Sequence, residues 1–345
     1  MISEKIYEQY ILEALQEILA VDSPTGFSKA INEKLVEMLK KLGYDAEVTN
    51  KRAVRVSVKG KSSKKKLAIS AHVDTLGAMV KSISGNGELR FTRLGGPTLA
   101  TFDGEYCKIY ADGGKVYTGT FLSDSPSCHV YKDAGTKERN EDTMYVRIDE
   151  EVGSKADVEK LGIRVGSLLA IDTKTTITDS GYIKSRFLDD KAGSACLLAV
   201  LYAMKRENLI PAYDVDFYFT NYEEVGHGAA TIAKDADELL AVDMGCVGDG
   251  LGCTEKTVSI CAKDSGGPYN YDVVGALIDA AKRAGAEYAV DVYPHYGSDV
   301  EATLRAGADI RHGLIGAGVY ASHGYERSHK DGVLNTLRVL KGYLF

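Results

Sequence analysis

Tyr7, Ile11, Leu15 and Ile18 recur at the three-to-four-residue spacing that lines one face of a helix, and this predicts an amphipathic helix over residues 1–19. Phe27, Ile31, Leu35, Met38 and Leu42 repeat the pattern in a second helix that stops near Gly43. Val54, Val56 and Val58 then alternate with polar residues, as a half-exposed strand does. From about residue 75 to 182 the texture changes. Short apolar stretches at 115–117, 144–148 and 168–171 are separated by Gly, Asp, Asn and Ser with few helical periods, which predicts a small barrel or sandwich. Helical periodicity returns at 192–204, 229–240, 271–284 and 299–305, with strands between at 215–220, 258–261 and 310–315.

Three apolar runs end in groups that carry chemistry. Leu67 to Ala71 leads into His72-Val73-Asp74, Val215 to Tyr222 into Glu223-Glu224, and Ala241-Val242 into Asp243. In open α/β sheets the reactive groups gather at the carboxyl ends of strands. These candidates lie on both sides of the strand-rich stretch, so they belong to one discontinuous α/β domain, residues 1–74 and 183–345, into which residues 75–182 are inserted.

At 345 residues, with 44% of positions hydrophobic and 26% charged, the chain is long enough to bury a core in one large domain or two. A formal net charge of -7 and a pI near 5.6 argue against nucleic acid or an anionic membrane surface as the main partner. The basic run at 61–66 reads as a solvated hairpin turn. The cysteines, Cys107, Cys128, Cys196, Cys246, Cys253 and Cys261, include no C-x-x-C pair and form no dense framework, which suits reduced thiols in a cytoplasmic protein. No segment has the about 20 apolar residues that cross a bilayer. The first helix carries Glu4, Lys5, Glu8, Glu13 and Glu17 in place of an apolar signal core, so neither membrane nor export is expected.

A two-metal hydrolytic site needs histidine nitrogens and carboxylate oxygens, with one carboxylate able to bridge cations about 3.5 to 4 Å apart. His72, Asp189, Glu224, Asp243 and His323 are the candidates in chain order. Only the fold can bring such distant residues together. In an extended segment His72 and Asp74 point to one side, so Asp74 can accept the imidazole proton and leave the other ring nitrogen for a metal. A core histidine satisfied by a neighbouring carboxylate is the competing reading of that pair. Asp189 and Asp190 precede a helix, where acidic capping is the plain alternative; the functional reading makes Asp189 the bridging ligand and Asp190 its support. Glu223 and Glu224, side by side at a buried strand end, raise one another's pKa unless a metal takes one of them. One is then a ligand while its neighbour handles protons.

His72-Val73-Asp74-Thr75-Leu76-Gly77, Leu188-Asp189-Asp190-Lys191-Ala192-Gly193, Tyr222-Glu223-Glu224-Val225-Gly226, Ala241-Val242-Asp243 and Ser322-His323-Gly324-Tyr325-Glu326 stand in a familiar order. Together they resemble the tetrahedral, co-catalytic metal aminopeptidases, a family that includes the glutamyl and deblocking aminopeptidases. The resemblance spans nearly the whole chain. It implies a mixed-sheet, di-zinc exopeptidase-like catalytic domain flanked by helices, with residues 75–182 as a small β-barrel-like dimerisation domain. It also implies His72, Asp189 and Asp243 on one metal, Asp189, Glu224 and His323 on the other, Glu223 as general base and Asp74 as the partner of His72. Gly297-Ser298-Asp299 is similar to the family's Gly-Thr-Asp segment near the substrate, with Ser in place of Thr. Lys191 stands where Arg is frequent and Tyr222 where Gln is often found, departures that bear on substrate contacts. The family commonly carries an acid four positions after its last histidine, whereas Glu326 is three after His323, so His329 and His312 are rivals for that place.

The activity so implied is removal of amino-terminal residues from short peptides by water activated between two divalent ions, with zinc or cobalt expected and manganese compatible with the same ligands. A di-metal amidohydrolase acting on acylated amino acids or dipeptides would use the same side chains. A non-catalytic assembly subunit would not need them, and His72, Asp189, Glu223, Glu224 and Asp243 are all present. As partners the resemblance implies copies of the chain itself, in dimers built through the insert and in a tetrahedral dodecamer. A preference for acidic residues would require a positive pocket, for which Lys263, Arg311 and Arg327 are candidates.

Overall fold

The computed structural model describes residues 4–345, so the first three residues of the expected amino-terminal helix lie outside the described residues. That helix is α1 (Glu4–Leu19), and its predicted stripe of Tyr7, Ile11, Leu15 and Ile18 is buried. Each such side chain contributes roughly 1.5–3 kcal/mol relative to exposure. Next come α2 (Lys29–Lys41), β1 (Glu47–Val48), β2 (Val54–Val58) and β3 (Ser62–His72).

A separate compact unit, Thr75–Thr173, follows. It comprises β4 (Gly77–Ile83), β5 (Leu89–Leu94), β6 (Tyr106–Tyr110), β7 (Val116–Ser123), β8 (Met144–Ile148), α3 (Lys155–Lys160) and β9 (Leu168–Ile171). Antiparallel pairing in the order β4-β5-β8-β7-β6-β9 closes a barrel, which leaves no free sheet edge. Leu89, Phe91, Ile109, Phe121, Val146 and Leu169 fill its interior, and the Phe91 and Phe121 rings meet edge-to-face at 5.0 Å.

The first unit resumes at Lys174. Its remaining elements are β10 (Thr176–Ile177), β11 (Tyr182–Ser185), α4 (Leu188–Glu207), β12 (Tyr213–Thr220), β13 (Glu238–Cys246), β14 (Val258–Asp264), β15 (Gly267–Pro268), α5 (Tyr271–Ala284), β16 (Tyr288–Val292), α6 (Asp299–Arg305), β17 (Arg311–Val319), β18 (Glu326–His329) and α7 (Lys330–Leu344). The insert was expected to run to residue 182; the units divide at 173/174 because β11 pairs with β10 on one side and β18 on the other, three strands of the first unit.

A mixed sheet in the order β1-β2-β12-β3-β13-β17-β14-β15, with β16 beside β14, forms the centre of this unit. Its middle strands β12, β3, β13 and β17 run parallel. Parallel register sets their carboxyl ends along one edge: Thr220 pairs with His72, and Ser70 with Ala241, so that Asp243 comes level with His72. The helix α4, buried along nearly its whole length, lies against β3 and β13 with α1 and α7 on its other sides. Its first turn meets β13 through Gly193, where a Cβ would sit 2.5 Å from the Val242 carbonyl oxygen and 2.3 Å from Asp190 Oδ1.

Two local expectations fail. Residues 229–240 form no helix; they run through turns into β13, whose apolar stretch Leu239 to Val242 is buried on both faces as a central parallel strand requires. The basic run at 61–66 makes no hairpin, because β2 and β3 are separated by β12, and Lys64 to Lys66 instead belong to β3.

Gly193→Ala is expected to destabilise the protein by about 1–3 kcal/mol, since the added methyl meets backbone that cannot swing aside. Urea denaturation measures this, and an unchanged midpoint would show that α4 does not approach β13 so closely.

Candidate active site

The parallel strands deliver His72 at the last position of β3, Glu223 and Glu224 in the turn after β12, and Asp243 within β13. Asp189 and Asp190 open α4 in non-helical backbone conformations, before the regular turns begin. His323 lies in the loop between β17 and β18 with a left-handed φ of 61°. His72 Nε2 is 3.0 Å from Asp189 Oδ1, while His323 Nε2 is 3.5 Å from Asp189 Oδ2 and 3.6 Å from Glu224 Oε2. The two oxygens of one carboxylate thus face two different histidines. Among the described residues, two overlapping groups have ligand atoms within 4.8 Å of one another: His72, Asp189 and Glu224, and His72, Asp190 and Asp243.

Asp190 is nevertheless committed elsewhere, because Oδ2 accepts from the His72 amide at 3.1 Å and Oδ1 from the Gly193 amide at 3.0 Å. Asp74 also differs from expectation. The acceptor nearest His72 Nδ1 is the Asp74 backbone carbonyl at 2.9 Å, with the carboxylate at 3.6 Å. That carboxylate accepts from Thr25 Oγ1 at 2.7 Å and from the Glu223 amide at 3.2 Å, so it supports the turn carrying Glu223. A proton on Nδ1 shared with the carbonyl still leaves Nε2 as the basic nitrogen facing the acids.

Burial dominates the electrostatics. It raises Glu223 and Glu224 well above the usual carboxylate range; next to burial, nearby Asp189 pushes Glu224 up further, and Asp243, Asp299 and Glu224 do the same for Glu223 against the opposing pull of His72. Burial and then Asp189 bring Asp243 to about 7. Burial also acts to raise Asp189, but hydrogen bonds from His323 and His72 outweigh it and hold this carboxyl below its ordinary value. Ionised carboxylates so crowded repel one another unless positive charge is shared among them.

The rival histidines are fastened elsewhere. His329 caps α7 through Nδ1 and the Asp331 amide at 3.1 Å, with Nε2 on the Ser180 carbonyl at 2.9 Å. His312 is near the amino-terminal end of β17, its ring 5.5 Å from that of Tyr269. The basic candidates for a positive pocket are engaged as well. Arg311 pairs with Glu238 at 3.1 Å at the strand starts, away from the reactive edge; Arg327 pairs with Glu255 at 3.1 Å; Lys263 Nζ donates to the Asp264 carbonyl at 2.8 Å. Lys191 turns to the end of α1, donating to the Ile18 and Val21 carbonyls at 2.9 and 2.7 Å. The ring of Tyr222 stacks on His227 at 5.1 Å.

Several supporting residues escaped the sequence reading. Thr25 and Ser194, whose hydroxyl donates to the His72 carbonyl at 2.9 Å, carry no local signal. Asp299 belongs to a motif noticed for its likeness alone; its Oδ1 accepts from the Ala229 amide at 2.8 Å and its Oδ2 from the Thr220 hydroxyl, so it grips both ends of the Glu223 turn.

Comparison with known proteins shows the family and the fold. The family model described as M42 glutamyl aminopeptidase matches residues 53–339. The chain is similar to the putative aminopeptidase YhfE of Bacillus subtilis, with 41% identity over 334 residues covering 96% of each chain. In fold it is similar to the TET aminopeptidase of a marine-sediment Thaumarchaeota archaeon, with a TM-score of 0.87, 20% identity, and 97% and 96% of the two chains covered. It is also similar to the TET1 peptidase of Pyrococcus horikoshii, described as assembling into a tetrahedron or a large octahedral shell, with a TM-score of 0.85, 20% identity, and 97% and 99% covered.

A divalent cation that relieves the crowded carboxylates is expected to stabilise the fold by mass action, about 2.7 kcal/mol at a free concentration of 100 times its Kd. Thermal unfolding with and without zinc, after chelator treatment, reads this as a rise in Tm. An unchanged Tm would mean that the cluster holds no cation.

Proposed function

Because the chain belongs to the M42 glutamyl aminopeptidase family, we propose that it releases amino-terminal residues from short peptides at a two-cation site, with Glu223 as general base. His72, Asp189 and Asp243 would hold one ion, and Asp189, Glu224 and His323 the other. The observation that carries this assignment is the divided carboxylate of Asp189, one oxygen toward each histidine. The donor set fits divalent metal in a second respect: Glu224 Oε1 is buried with no hydrogen-bond partner, an expensive arrangement for a carboxylate unless a cation meets it. Two nitrogens and several carboxylate oxygens suit zinc or cobalt, and manganese is compatible. Such ions would supply Lewis acidity and lower the pKa of a bound water.

The chain's own groups do the rest. Glu223 Oε2 is 3.8 Å from His72 Nε2, and the carboxylate lies outside both ligand sets while bordering them. Burial raises its pKa, which suits a base that must take a proton and give it back. Glu223 accepts the proton of the attacking water as its oxygen bonds to the peptide carbonyl carbon. It then passes that proton to the leaving nitrogen as the C–N bond breaks. Asp74 and Asp299 keep the turn in place through the Glu223 and Ala229 amides.

The TET1 peptidase, which shares this fold, is described as able to assemble into a tetrahedron or a large octahedral shell. That likeness supports self-association here, with the barrel as the dimerisation unit and a tetrahedral dodecamer as the assembly. A shell of this kind would admit short unfolded peptides to enclosed sites. We place the enzyme in the cytoplasm, in keeping with its free cysteines.

Glu223→Gln is expected to retain its metal, measured by atomic absorption, while kcat on aminoacyl anilides falls by roughly 10²–10⁴-fold. Undiminished turnover would remove Glu223 from the role of base. Acylated amino acids assayed in parallel separate this activity from that of a deacylase.

A further inference from the structure

Glu326 is 2% exposed, and each of its oxygens accepts from a different backbone amide: Oε2 from Asp189 and Oε1 from His323, both at 3.1 Å. These amides belong to segments 134 residues apart in the chain, one opening α4 and the other in the loop before β18. The pairing of β11 with β18 brings the segments together, with Ser185 opposite Glu326. Arg186, also buried, completes a reciprocal clasp by donating from Nη1 to the Gly324 carbonyl at 3.0 Å. One segment thus reaches across with a guanidinium and the other with a carboxylate, and the two residues joined by the carboxylate are the ones whose side chains meet at 3.5 Å.

We propose that Glu326 is a positioning residue that sets the separation of Asp189 and His323 and thereby governs occupancy of the second cation position, an inference that rests on the two-cation reading of the site. The geometry explains why an acid is needed here. Two converging N–H donors require two acceptor oxygens, and an amide side chain offers only one, its NH2 group then facing an N–H. His323 depends on this support more than His72 does. The His72 side chain is 1% exposed at the end of a central strand, whereas the His323 side chain is 38% exposed in a loop with left-handed backbone at both Ala321 and His323. Loss of the clasp would therefore loosen the position formed by Asp189, Glu224 and His323, where it misplaces two ligands, more than the one formed by His72, Asp189 and Asp243, where it touches only the shared carboxylate.

The test is equilibrium dialysis of the full chain against zinc, with bound metal counted by atomic absorption, for the wild type and Glu326→Gln. The wild type is expected to bind two ions. Glu326→Gln is expected to bind the second ion roughly 10–100-fold more weakly and the first with a clearly smaller loss, with activity recovering as zinc is raised. If circular dichroism shows Glu326→Gln to be unfolded, Glu326→Asp, which keeps two oxygens on a shorter arm, is expected to show a smaller loss at the same ion. Two ions bound by the variant with wild-type affinities, or both weakened equally, would overturn the proposal. A wild type that binds fewer than two ions would overturn the two-cation reading itself.

Discussion

The arrangement depends on one carboxylate shared between two histidines. Asp189 lies between His72 and His323, and the rest of the first unit is organised so that three separate parts of the chain meet there. Parallel pairing of β3, β12 and β13 brings His72, the Glu223–Glu224 turn and Asp243 to one edge. Close packing of α4 on β13 at Gly193 sets the height of Asp189 above that edge. The β11–β18 ladder carries the His323 loop to the same place. Each device is a backbone constraint, and each acts on different side chains of the cluster.

The cluster is costly by itself. Burial lifts Glu223, Glu224 and Asp243 out of the usual carboxylate range, and only Asp189, between its two histidines, is held down. Buried acids tuned apart in this way are characteristic of sites that separate ligation from proton transfer. Ser194 donates to the His72 carbonyl, Asp190 and Asp299 accept from the His72 and Ala229 amides, and Thr25 donates to the Asp74 carboxylate, so the segments that carry the facing side chains are held from several directions.

Much of this was legible in the chain, because period and position leave local marks. The alternation in β2, the stripe on α1 and the evenly spaced strands of the insert emerged as expected. Acids at strand ends pointed to the reactive edge. Residues 229–240 were misread because their apolar positions, spaced as on a helix face, belong to successive turns that lead into the first residues of β13. The Lys64 to Lys66 segment was misread because charge resembles a turn when the order of strands is unknown. The role of the Asp74 carboxylate beneath Glu223, and the grip of Asp299 on Thr220 and Ala229, depend on residues far apart in sequence, and no spacing rule encodes them.

The most direct measurement is a crystal structure of the zinc-loaded enzyme with anomalous scattering recorded across the zinc absorption edge. Two peaks are expected about 3.5–4 Å apart, with Asp189 touching both, His72 and Asp243 on one, and Glu224 and His323 on the other. A single peak, or a pair not bridged by Asp189, would contradict the account.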